Sequence, residues 1–155
     1  MNVRKIDHLG LAVRSADAAE RFYAGVLGLP VTHRETLEGM KLKVVKVRSG
    51  DSVLELLEPL PGEEVISKFL AERGEGFHHV CFEVADVAAA TTELVGQGYR
   101  PVWPEPRQGS EGRLVNFLRP KETFGTLIEL SQRGEDRSPK SEDRAEAAPP
   151  PPRGG

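Results

Sequence analysis

FHHVCFEV at 77–84 decides the fold, because IDHLGLAV at 6–13 repeats its design. Both runs alternate at the two-residue period of a strand. In the earlier run Leu9, Leu11 and Val13 share one face, opposite His8, Gly10 and Ala12. In the later run Val80, Phe82 and Val84 share one face, opposite His79, Cys81 and Glu83. A helical pattern follows each. Ser15 caps the first helix, whose apolar stripe is Ala18, Phe22, Val26 and Leu27, and Gly28 stops it. Asp86 caps the second, which runs to about Leu94 and ends at Gly96 and Gly98.

Three strands are expected after each helix. They fall at 30–36, 40–48 and 52–58 in the first half, and at 99–103, 113–118 and 126–131 in the second. A further helix over 62–73 joins the halves. The loops at 104–112 (PEPRQGSEG) and from Arg119-Pro120-Lys121 onward are rich in Gly, Pro and charge. The chain is therefore α+β, with a βαβββ unit used twice, in modules of about 4–74 and 75–132. One such unit buries too little apolar surface to stand alone, so the two should pack together as one domain over 1–132.

The composition changes at about residue 133. From Arg133 to Gly155 there is no Val, Ile, Leu, Met or aromatic residue, and five positive side chains balance five negative ones. A segment with nothing to bury is expected to be a disordered tail. Elsewhere the net charge of −3 offers no basic field for nucleic acid, and no stretch is apolar enough to span a bilayer. No export signal precedes the first strand, and Cys81 is the only cysteine, so a reduced cytoplasmic setting is expected.

The duplication extends to chemistry. His8 precedes Glu55 by 47 residues, and His79 precedes Glu129 by 50. Glu55 lies between Leu54 and Leu56, and Glu129 between Ile128 and Leu130. A carboxylate inside such strands is costly to bury unless a positive charge meets it. One divalent cation could satisfy two carboxylates and two imidazoles together. A mixed N/O set suits Zn, Co, Ni, Mn or Fe(II) better than Ca or Mg, and four protein ligands leave about two positions open on a six-coordinate ion. By strand parity His78 belongs with Phe82 and reads as structural. His33 reads as surface, and Glu58 and Glu83 as solvated.

DHLGLAV at 7–13 with AERFYAGVLGL at 19–29 resembles the opening of the vicinal oxygen chelate (glyoxalase/bleomycin resistance/dioxygenase) superfamily. ELLEPL at 55–60, KFLAERGEGFHHVCFEVAD at 68–86, EPR at 105–107 and PKETFGTLIEL at 120–130 look like the methylmalonyl-CoA epimerase family within it. The resemblance implies paired βαβββ modules forming a cupped mixed sheet around a metal site, ligated by His8, Glu55, His79 and Glu129. It implies a divalent cofactor (Co, Zn, Mn or Ni), an acyl-CoA substrate, commonly a homodimer, and epimerisation at C2 of methylmalonyl-CoA through a metal-stabilised enolate.

Three loops depart from the family pattern: Ser110-Glu111 within Gly109–Gly112, Arg119 before Pro120-Lys121, and Phe124 before Gly125. An acid/base glutamate of some members falls near Leu42, which leaves Glu129 and Glu55 as the expected proton-transfer groups. Lys121 is a candidate contact for phosphate or carboxylate. Two other readings keep the fold. One is a glyoxalase I acting on a glutathione hemithioacetal, against which the Pro120-Lys121 turn argues. The other is a metal-free protein that binds a small ligand. An Fe(II) ring-cleaving dioxygenase fits less well, since such sites use two His and one carboxylate.

Overall fold

The computed structural model describes residues 1–134. The tail expected over 133–155 lies, from residue 135 onward, outside the described residues. The elements in chain order are β1 (Val3–Ala12), α1 (Ala16–Glu20), β2 (Val31–Leu37), β3 (Leu42–Ser49), β4 (Ser52–Pro59), α2 (Val65–Arg73), β5 (Gly76–Val84), α3 (Val87–Gly96), β6 (Arg107–Gln108), β7 (Leu114–Leu118) and β8 (Ile128–Gln132). α1 continues as wider π-helical turns over Arg21–Val26. Ser15 and Asp86 cap their helices as expected, accepting from the backbone N–H of Ala18 and Ala89. No helix of the described residues is long and apolar enough to cross a membrane.

The eight strands form one mixed sheet in the order β2-β3-β4-β1-β5-β8-β7-β6. The duplication is visible in this order. β1 pairs with β4 in parallel, β5 pairs with β8 in parallel, and β1 joins β5 antiparallel at the centre. The sheet curls into a half-barrel, so residues of alternate parity divide between a convex and a concave face. On the convex face, α1 covers Leu11, Val13, Val45 and Leu56, and α3 covers Val84 and Leu130. The parity expected for β1 and β5 is met there by Leu11, Val13, Phe82 and Val84, whereas Leu9 and Val80 line a cavity together with His79.

The concave face is less open than strand parity suggests. Ala12, Leu42, Val44 and Leu57 continue the face of His8 and Glu55, and α2 lays Ile66 and Leu70 over them. The segment linking the two modules thus closes one end of the cup.

The strand expected over 99–103 does not form. Only Pro101 bridges to Leu118, and the short strand of that module is β6, within the stretch read as a loop. Pro101, Pro104 and Pro106 remove three N–H donors in six residues, so the segment cannot sustain a ladder. Asn116 secures it instead. The Asn116 side chain accepts from the Trp103 N–H and donates to the Trp103 carbonyl and Thr91 Oγ1.

Candidate metal centre

His8, Glu55, His79 and Glu129 come together in the middle of the concave face. The register follows directly from the ladders: Gly10 stands opposite both Glu55 and His79, and Cys81 opposite both His8 and Glu129. His8 Nε2 lies 3.1 Å from His79 Nε2, 3.2 Å from Glu129 Oε2 and 3.6 Å from Glu55 Oε2. His79 Nε2 lies 2.8 Å from Glu129 Oε2. All four side chains are buried. Two imidazole nitrogens and the Glu129 carboxylate oxygen thus converge on one point, with the Glu55 carboxylate beside His8. The strand order β4-β1-β5-β8 sets the two histidines in the centre and one glutamate on each flank.

Each histidine is aimed by the residue before it. Between Ile6 and His8, β1 carries one residue more than β5, and between Gly10 and Leu11, β5 carries one residue more than β1. The extra residues of these β-bulges are Asp7 and His78, and a bulge turns neighbouring side chains toward the same side of the sheet. His8 Nδ1 donates to Asp7 Oδ2 at 2.8 Å, and the Nδ1 atoms of His78 and His79 share a hydrogen bond of 2.9 Å. With Nδ1 engaged, each ring presents Nε2 inward, as oriented metal-ligating imidazoles do. His78 therefore leaves the face of Phe82, to which unbroken alternation assigned it, and stacks edge-on against Phe69 of α2.

The charges reinforce this arrangement. Burial opposes ionisation of Asp7, but hydrogen bonds to His8 and Arg113 and the Arg113 charge hold its carboxyl far below the usual range. Burial likewise opposes ionisation of Glu129, yet hydrogen bonds from His79 and His8 hold it well below that range. Burial would lower His8, but Asp7, Cys81, Glu129 and Glu55 drive its affinity for a proton far above the ordinary value. The centre therefore demands positive charge. Burial and the neighbouring His79 push His78 down to about 4, which keeps it neutral. The buried Cys81 thiol is pushed up to about 11 by burial and by the charge of Glu129. The donor set fits a borderline divalent cation of the Zn, Co, Mn or Ni kind.

Other residues around the cup differ from their sequence reading. Glu83 is buried and pairs with Arg133 at 3.0 Å, so it is not solvated. His33 is half-buried and pairs with Glu35 at 2.9 Å. Lys46, buried at 5 % exposure, stands opposite Glu55 in the β3–β4 ladder, its Nζ 3.6 Å from Glu55 Oε2. Neither Lys46 nor Asp7 belongs to the repeated His and Glu pattern. The signal for Asp7 was available, since Asp7-His8 and His78-His79 occupy equivalent places in the two halves. Leu42 is buried in the core beneath α2, where a carboxylate could not serve.

A cavity of about 710 Å³ reaches His79 from outside, between α2 and the loop before β8. Its walls include Lys68, Phe69, Arg73, His78 and Arg119. Lys121, the loop cation singled out in the sequence, lies in the short 3-10 turn Pro120–Glu122 beside this opening.

Residues 7–117 match the model of the Glyoxalase/Bleomycin resistance protein/Dioxygenase superfamily. The human mitochondrial methylmalonyl-CoA epimerase is 35% identical over 132 residues, covering 84% of this chain and 75% of the relative. An ethylmalonyl-CoA/methylmalonyl-CoA epimerase of Cereibacter sphaeroides is 33% identical over 132 residues, covering 84% and 98%. A single-site variant of Streptomyces coelicolor methylmalonyl-CoA epimerase, solved in complex with 2-nitronate-propionyl-CoA, superposes with a TM-score of 0.81 at 35% identity, covering 89% of this chain and 100% of that one. With its paired modules and cupped sheet, the chain belongs to the vicinal oxygen chelate superfamily, and within it to the methylmalonyl-CoA epimerase family.

Proposed function

We infer that the protein is an isomerase that inverts C2 of methylmalonyl-CoA at a divalent metal centre held by His8, Glu55, His79 and Glu129. The observation that carries this reading is the convergence of His8 Nε2, His79 Nε2 and Glu129 Oε2 within 3.2 Å of one another, with Glu55 Oε2 beside them. A cation bound there supplies Lewis-acid stabilisation of the negative charge that develops on the thioester oxygen when C2 loses its proton.

The chain's own residues supply the rest. Inversion needs an acid/base group on each side of the reacting carbon. Glu55 and Glu129 flank the histidine pair from β4 and β8, which supports giving each the task of holding or releasing a proton on its own side. Their burial excludes bulk water. Asp7 and His78 fix the rings. Lys68, Arg73 and Arg119 around the outer cavity favour an anionic, phosphate-bearing tail, and Phe69 offers an apolar wall to its thioester arm.

The same reading takes the protein to be a cytoplasmic homodimer of one domain over 1–132, followed by a tail. Sizing of the purified protein in solution checks the dimer.

A single stereoisomer of methylmalonyl-CoA, incubated with protein reconstituted with cobalt, zinc, manganese or nickel, should lose its optical purity. A glutathione hemithioacetal under the same conditions should be left unchanged. Turnover of the hemithioacetal alone would replace this reading with a glyoxalase I.

A further inference from the structure

β2 and β6 are the two free ends of the sheet order, yet a polar clasp joins them. The turn Ser110–Gly112, just after β6, reaches β2 and β3 across the open side of the cup. Ser110 Oγ and the Glu111 N–H both donate to Glu35 Oε2, at 3.2 and 3.0 Å. The Glu111 carboxylate meets Lys46 Nζ at 2.8 Å, His33 Nδ1 at 3.7 Å and Arg113 Nη2 at 3.8 Å. Glu111 holds a left-handed backbone (φ 57) to make these contacts, which costs a non-glycine residue free energy and is kept only where surrounding contacts impose it.

The same turn touches two of the four central side chains through intermediaries. Arg113 Nη1 binds Asp7, which binds His8. Glu111 binds Lys46, which faces Glu55. Among the described residues Lys46 is the one Lys or Arg within ion-pair distance of Glu55. Its ammonium is shared, 2.8 Å from Glu111 and 3.6 Å from Glu55. A buried ammonium drawn fully onto Glu55 would occupy the carboxylate oxygen that a cation needs.

We propose that Glu111 is a positioning residue that holds Lys46 away from Glu55, leaving the Glu55 carboxylate free for the divalent cation. This rests on the metal-site reading above. Glu111 comes from one module and Glu55 from the other, so the clasp makes the first module's Glu55 depend on a turn of the second.

The test is a double-mutant cycle read by cation affinity, measured for cobalt against a chromophoric chelator. Glu111→Gln keeps the shape and removes the charge, and Glu111→Asp restores it. Lys46→Met removes the ammonium with similar volume. Glu111→Gln should weaken cobalt binding by roughly tenfold, in the range expected when a partner of a metal ligand is lost. Glu111→Asp should recover most of that loss. In the Lys46→Met background Glu111→Gln should change affinity by less than about twofold, because the competitor is gone. An equal loss in both backgrounds, or none in either, overturns the proposal. A parent protein that binds no cobalt, zinc, manganese or nickel would instead defeat the metal-site reading itself. Melting temperatures of the metal-free variants identify any that fail to fold. For those, the cobalt absorption spectrum of Glu111→Asp replaces the missing arm: an unaltered parent-like spectrum supports the proposal and a changed coordination overturns it.

Discussion

Gly10 stands directly across the β1–β5 ladder from His79, and a Cβ at position 10 would lie 2.1 Å from the imidazole Cε1. The ring of one module therefore lies against bare backbone of the other. Gly10→Ala should push His79 aside. Overpacking of this kind costs about 1–3 kcal/mol in stability, and the displaced Nε2 should reduce cation affinity by roughly tenfold or more. Titration with cobalt checks this. Unchanged affinity in a folded Gly10→Ala protein would mean that His79 has no part in binding.

Glu129 touches both histidines, and the proposed function gives it the exchange of the C2 proton. Glu129→Gln keeps the hydrogen-bonding shape but removes the charge and the acid/base function. Turnover should fall by about 10²–10⁴-fold, the range for loss of a proton-transfer group. The loss should appear in kcat more than in KM, because the proposed function seats the acyl-CoA arm in the outer cavity. A loss confined to KM would assign Glu129 to binding alone.

Asp7 acts through His8. Asp7→Asn removes the charge that orients Nδ1 and should weaken cation binding by about 10–100-fold, with the ligand set intact. His8→Ala removes a donor outright and should cost more. Equal losses from the two substitutions would contradict the orienting role.

The four central residues were legible in the sequence because duplication repeats them, and chance seldom repeats an imidazole and a carboxylate at matching places. The residues that aim them recur too, Asp7-His8 matching His78-His79, but their role was not legible. Strand parity assumes an unbroken ladder, and the bulges at Asp7 and His78 are tertiary features of the β1–β5 pairing that no local pattern announces. Lys46 was hidden for another reason. A lysine within a strand reads as a solvent-facing position until the partner strand places it opposite Glu55. The strand expected over 99–103 does not form because Pro101, Pro104 and Pro106 outweigh the strand preference of Tyr99, Val102 and Trp103. The helices and their caps were legible because N-cap chemistry is local.

Proton and cation compete for the centre, which gives a pH signature. In chelator-treated protein His8 has a raised pKa. Its contribution to stability is full below the unfolded value of about 6.5 and is lost as pH rises toward the folded value. Asp7 and Glu129 have lowered pKa values, so their contribution is full above about pH 4.5 and is lost as pH falls. The melting temperature of the metal-free protein should therefore peak between about pH 5 and 6.5 and decline above it. Cation affinity should rise over that same alkaline range, because binding displaces the His8 proton. A melting temperature that climbs steadily from pH 6.5 to 8.5 without metal would contradict this.

The most direct test is exchange of the C2 hydrogen of methylmalonyl-CoA in deuterated water, followed by NMR. Deuterium should be taken up rapidly at C2 with cation-loaded protein. Uptake should cease after chelation and return on adding cobalt or zinc. Absence of exchange in a fully loaded sample, or exchange at the same rate in chelator, would contradict it.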